Sequence, residues 1–299
     1  MQSKMAEIKL SADELCVEAE RIFQWISDLC NKDTRPVAMR ELCDRQDYIE
    51  GLGPLMWHAF GAVSGLMQEL IAVYVYSTAL ENEISTLQAQ RVCSAIGLVQ
   101  IIGSHPDTAP QLLHSQFMAY LLPLLRMTRQ TRAVEHVRLS VMGVICGMLE
   151  LDSLEVVQFF LGTELIPLML RQLELGSRMM KIKSALVLHR IVENDVGLEF
   201  VCRHQARLLH LISTLAHVVH QLTLEPEPGI LKHVVHTYVR LTDNRMANEL
   251  LVEHLPEQLR NGYFCEESLL GYEQAPFELG VLNRKVHLAL STNIEQEAD

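Results

Sequence analysis

The residues best equipped for chemistry are 13 histidines, seven cysteines and a scatter of carboxylates. Two identical HVVH segments, His217–His220 and His233–His236, place histidines three apart, on one helix face. Zinc needs four ligands, or three with an open position. No cysteine or carboxylate stands at a recognisable spacing from either pair, so the sequence assigns no metal and no cofactor, and the pairs are read as partly exposed helix histidines. The cysteines (Cys16, Cys30, Cys43, Cys93, Cys146, Cys202, Cys265) are odd in number and form no CxxC pair. They read as buried, reduced thiols of an intracellular protein. Cys146 and Cys202 lie in apolar surroundings, with nothing nearby to lower a thiol pKa. Nucleophile elbow, phosphate-binding loop, dinucleotide fingerprint and HExxH are all missing. No catalytic residue is assigned and an enzyme is not expected.

Charge gives a second lead. The formal net charge is −12, which counts against a dedicated nucleic-acid protein. Two local stretches run the other way. Arg126, Arg129, Arg132 and Arg138 face one acid, Glu135, and between Arg171 and Arg207 seven basic residues face four acidic ones. Such a strip suits a groove for acidic peptide or single-stranded nucleic acid, and equally suits ordinary solvated helix faces.

The elements that must carry these residues are helical. Of 299 residues, 49% are hydrophobic but only 6% aromatic, and just 15 Gly and 10 Pro punctuate the chain. That composition favours helices over strands. Acidic turn segments recur at Asp107, Asp152, Asp195 and Asp243, spaced by 45, 43 and 48 residues. About a dozen residues after each comes a Leu-rich helix start, at Leu121, Leu165, Leu208 and Leu255. Long helical stretches fill the intervals: Glu135–Leu149, Met179–Val192 and Leu231–Leu241. A period of about 40–47 residues with two or three helices marks armadillo or HEAT repeats, whose units stack because none can bury its apolar face alone. The expectation is an all-α, armadillo/HEAT-type right-handed helical solenoid of about six repeats. Residues 178–192 are apolar nearly all round the helix, as an innermost helix would be. A capping box at Ser11–Glu14 opens the first helix. Leu55–Tyr76 reads as one buried core helix, with no membrane span and no secretory leader. The organisation expected is an N-terminal flank (1–17), a repeat domain (18–262) and a divergent C-terminal segment with an acidic tail (263–299).

Several segments carry a resemblance: RIFQWISDL from Arg21, PLMWHAFG from Pro54, QRVCSAIGLVQIIGSHPDT from Gln90, RLSVMGVI from Arg138, LGTELIPLMLRQLELGS from Leu161 and LKHVVHTYVRLTDN from Leu231. Over about Glu18 to Arg260 the chain resembles the required-for-cell-differentiation (Rcd) family, the armadillo-repeat subunit of the CCR–NOT deadenylase complex. The resemblance implies a non-catalytic adaptor in mRNA decay and translational repression, cytoplasmic and also nuclear. It implies binding to the scaffold subunit of the complex, docking of repressor peptides that include tryptophan-bearing ones, homodimers, and nucleic acid in a basic groove as the alternative.

Residue by residue, the resemblance implies a scaffold-binding surface with His58, Phe60 and Ser64 on one helix face, while Trp57 packs in the core. It implies a peptide groove with His136 in place of a family tyrosine, Arg138 and Gly143 retained, and Met179, Ile182 and Lys183 on the following repeat. Lys183 stands where an apolar contact is expected, and a desolvated lysine is costly unless an acid meets it. Arg207 is kept as a nucleic-acid residue, and Arg245 is displaced by one position. The chain reads as a diverged copy with altered peptide preference.

Overall fold

A computed structural model describes residues 12–78, 83–129, 131–265 and 272–297. Eighteen α-helices and three short 3₁₀ turns are present among them, and no strand. The described residues divide into two compact units, one drawn from 1–112 and 116–140, the other from 113–115 and 141–299.

The first unit holds α1 (Ala12–Asp28), α2 (Arg35–Asp44), α3 (Leu52–His58), α4 (Ala62–Ile71), α5 (Tyr74–Thr78), α6 (Thr86–Gly103), most of α7 (Ala109–His114), α8 (Met118–Leu121) and the first half of α9 (Arg132–Leu149). Helix α6 is the central post: α2, α3 and α4 all pack on it, burying Val92, Ile96, Val99 and Ile102. It begins at a complete capping box, in which Ser85 and Gln88 satisfy each other's backbone donors.

Leu55–Tyr76 is not one helix. The chain breaks at Ala59–Gly61, where Gly61 adopts φ 83°, a left-handed conformation open to glycine at little cost. The segments on either side meet at 89°, and among the described residues no single helix is long and apolar enough to cross a membrane. Ser11 of the expected capping box lies outside the described residues, as does the structure of the last two residues of the acidic tail.

The second unit continues through α10 (Leu154–Leu161), α11 (Leu165–Leu175), α12 (Arg178–Glu193), α13 (Asp195–Cys202), α14 (Gln205–Leu224), α15 (Pro228–Leu241), α16 (Arg245–His254), α17 (Glu257–Arg260) and α18 (Ala275–Glu297). The repeat is plainest in α10–α12, with helices of 8, 11 and 16 residues, and recurs as a short helix followed by two long ones in α13–α15. Helix α12 packs on α11, α13 and α15, which explains its apolar residues on several sides. The Leu-rich starts at Leu165 and Leu208 open or lie in full helices, whereas those at Leu121 and Leu255 lead only to a 3₁₀ turn and a four-residue helix.

Two of the recurring acidic turns, at Asp195 and Asp243, prove to be joints. Asn194 and Asn244 cap α13 and α16 by accepting from the backbone N–H groups of Val196 and Ala247. Arg240, near the end of α15, pairs with Asp195 of the preceding repeat and, at 2.8 Å, with Asp243 of its own. Asp243 in turn receives Lys285 of α18 at 2.7 Å. These last repeats are thus stitched turn to turn, over a core of Leu, Val and Ile side chains each contributing about 1.5–3 kcal/mol on burial.

Candidate interaction surfaces

The break between α3 and α4 forces side chains outward. His58, at the last position of α3, and Ser64, in α4, are exposed. Phe60, in the turn between them, is 100% exposed. The three therefore do not share one helix face as expected; they straddle a bend. Trp57 is half-buried, not core. The turn is held from behind: the Cys30 thiol donates to the Phe60 carbonyl at 3.0 Å. Behind that stands a buried polar network that motif reading missed. Arg35, 2% exposed, donates through Nε to the Leu29 carbonyl (2.7 Å) and through Nη1 to Glu69 (3.1 Å). Glu69 also receives Arg91 Nη2 at 2.8 Å. Among the described large hydrophobic residues, Phe60 is the most exposed.

A second surface in the first unit is a cleft of about 680 Å³ between α6 and α9, lined by Gln90, Cys93, Arg132, His136 and Ser140. His136 is exposed and lines it. Arg138 does not. It is 6% exposed and turned inward, bonded to the Met127 carbonyl (3.2 Å) and to Glu135 (2.7 Å). It ties α9 to the segment before it through Nη1 and Nη2, while its buried Nε is left without a hydrogen-bond partner.

The remaining expected groove residues belong to the second unit. Gly143 is buried within α9 and presents nothing to a groove. On α12, Met179 is 50% exposed, while Ile182 and Lys183 are half-buried. The Lys183 charge acts on Cys146, whose thiol burial nonetheless pushes up to about 11.

The basic residues proposed for nucleic acid are occupied. Arg207 lies over the Phe200 ring, 3.9 Å from its centroid, and donates to the Phe200 carbonyl at 2.7 Å. Arg245 is exposed but pairs with Glu249 at 2.8 Å. Across the Arg171–Arg207 stretch, Arg178, Arg190 and Arg203 pair with Glu227, Glu193 and Glu199. Three of the seven basic residues in that stretch are thus paired with acids, Arg190 and Arg203 with neighbours three and four residues away and Arg178 with Glu227 at the start of α15.

No nucleophile emerges among the described cysteines. Burial pushes Cys43 up to about 12 and Cys202 up to about 11, so both stay protonated thiols near neutral pH. Cys30 departs from the expected burial and is exposed. The side chains of Cys16 and Cys265 lie outside the described residues.

The histidines split in a way spacing alone could not show. His217 and His220 are exposed on α14. His233 and His236, on α15, meet His189 of α12, with ring centroids 5.7 and 4.9 Å from it. Glu278 of α18 faces His236, Oε2 to Nε2 at 2.5 Å, and Tyr272 donates its hydroxyl to Glu278. Burial first, then the neighbouring imidazoles and cations, pulls His189 and His233 down to about 4. Both rings are neutral at physiological pH. They line a cleft of about 550 Å³ with Arg190, Glu193, Lys232 and Arg240.

Comparison with known proteins places this architecture. A designed armadillo repeat protein in complex with the peptide (KR)4 superposes with a TM-score of 0.63 over 87% of this chain and 98% of that one, at 16% identity, so the likeness is one of fold. The cell differentiation protein rcd1 of Schizosaccharomyces pombe is 34% identical over 249 residues, covering 83% of this chain and 87% of that protein. Protein CAF40 of Saccharomyces cerevisiae is also 34% identical, over 82% of this chain; the match spans 65% of its length. The model of the Rcd1-like cell differentiation family matches residues 25–269, past the Arg260 limit of the sequence resemblance. With that match across both units of an armadillo-type all-α fold, the chain belongs to the Rcd1-like cell differentiation family.

Proposed function

We propose that this chain is a non-catalytic adaptor subunit of the CCR–NOT deadenylase complex, binding the scaffold subunit through the α3–α4 bend and docking peptides of mRNA repressors. It would thereby act in mRNA decay and translational repression, in the cytoplasm and also the nucleus. Family membership over residues 25–269 supports the assignment to this kind of assembly. The observation that carries the binding site is Phe60: a wholly exposed phenylalanine, flanked by exposed His58 and Ser64, on a turn fixed from behind by Cys30. Aromatic anchors of that kind dominate interface energetics when a partner pocket desolvates them. For peptides, the α6–α9 cleft at His136 is the favoured seat.

The nucleic-acid alternative loses support because Arg207 and Arg245 already hold partners. The test is a pull-down from cytoplasmic extract with wild type beside a His58→Ala, Phe60→Ala variant, blotting for deadenylase subunits. Capture by wild type and not by the folded variant is the expected outcome. Capture by neither would mean this copy has left the complex, and equal capture by both would place the scaffold interface elsewhere.

A further inference from the structure

The three imidazoles of the second unit are arranged for a ligand. His189, His233 and His236 each offer a ring nitrogen, and these nitrogens lie within 4.8 Å of one another. His189 Nδ1 and His233 Nδ1 are buried and have no hydrogen-bond partner. Buried polar atoms are nearly always satisfied, so two orphaned ring nitrogens in one imidazole cluster call for a partner.

We propose that His189, His233 and His236 bind one divalent transition-metal ion of the zinc class, with Glu278 as the carboxylate partner of His236. This is independent of the adaptor assignment. Imidazole nitrogen suits zinc, copper or nickel and not the hard cations magnesium or calcium. A tetrahedral site with Zn–N of about 2.0–2.1 Å needs nitrogens about 3.4 Å apart. The ring nitrogens must therefore close by roughly 1.4 Å at most. Glu278 stands against His236 Nε2 and is itself held by the Tyr272 hydroxyl, the kind of carboxylate support that orients ligating histidines. Of the nearby cations, Arg190 is paired with Glu193, and Arg240 with Asp195 and Asp243. Lys232 is the one that opposes the ion from α15 itself. The bound ion would join α12 and α15 and, through Glu278, α18.

The test uses the full chain, free of any polyhistidine tag and stripped with chelator. Calorimetric titration with zinc should give one ion per chain, and cobalt in its place should give the strong visible bands of tetrahedral coordination. His189→Gln and His233→Gln should abolish this binding, Glu278→Gln should weaken it about 10–100-fold, and His217→Gln, His220→Gln should leave it unchanged. No stoichiometric zinc binding by wild type, or binding that survives His189→Gln, would overturn the proposal. If a ligand variant misfolds by circular dichroism, wild type alone decides. Zinc should then shield His189 and His233 from diethylpyrocarbonate, mapped by mass spectrometry, and equal modification with and without zinc would refute the site.

Discussion

Glu69→Ala should damage the first unit more than any exposed charge removal could. The Arg35 side chain is 3% exposed and that of Glu69 is 8% exposed. Removing the carboxylate leaves a guanidinium buried without its counter-charge, which typically costs about 3–5 kcal/mol. Arg35 keeps its bonds to the Leu29 carbonyl (2.7 Å) and to Gln68 (3.0 Å), which places the expected loss at the lower end, about 3 kcal/mol, or roughly a hundredfold in the folding equilibrium. Arg91, the other partner, is 34% exposed, so Arg91→Ala should cost no more than about 1 kcal/mol. Replacing both buried partners with apolar residues, Arg35→Met with Glu69→Leu, should recover much of the loss, because the uncompensated charge is then gone. The assay is urea denaturation followed by far-UV circular dichroism, with the transition of the first unit fitted separately if the two units do not unfold together. A Glu69→Ala loss below about 1 kcal/mol, or a loss equal to that of Arg91→Ala, would refute the claim that burial sets the magnitude.

Other outcomes follow from the same structure. Gly197→Ala would put a Cβ 1.8 Å from the Ile191 carbonyl oxygen, so α13 must shift off α12; a loss above about 2 kcal/mol in urea denaturation is expected, by the overpacking mechanism. His58→Ala with Phe60→Ala should leave stability within about 0.5 kcal/mol by the same method, since both side chains are exposed. Iodoacetamide at pH 8 should label Cys30 rapidly, while Cys146 and Cys202 stay unlabelled until denaturant is added, as peptide mapping would show. Burial pushes those two thiols up to about 11 in the folded chain, from an ordinary value of 9.0. The unfolded chain therefore loses their protons first, and stability should fall as pH rises from about 9 to 11; a flat profile there would contradict the burial of both thiols.

Much of the fold was legible because it is written in local periodicity. The all-helical class, the repeat of 43–48 residues and the long inner helices α9, α12 and α15 depend on residues three and four apart, which sequence displays directly. The acidic turns were visible too, though not their job: Arg240 meets Asp195 across 45 residues, a pairing that only stacked repeats create. The tertiary structure alone decided which face each side chain took. One glycine, Gly61, divided an apolar run that looks continuous and threw Phe60 into solvent. Arg138, chosen for a groove, turned inward, where the Met127 carbonyl and Glu135 meet Nη1 and Nη2 but nothing meets its buried Nε. His189 carries no motif and stands 44 residues before His233, yet stacking of α12 on α15 brings their rings together. Sequence fixes how residues sit along a helix; which helices touch, and so which distant side chains meet, follows from burying apolar faces against one another.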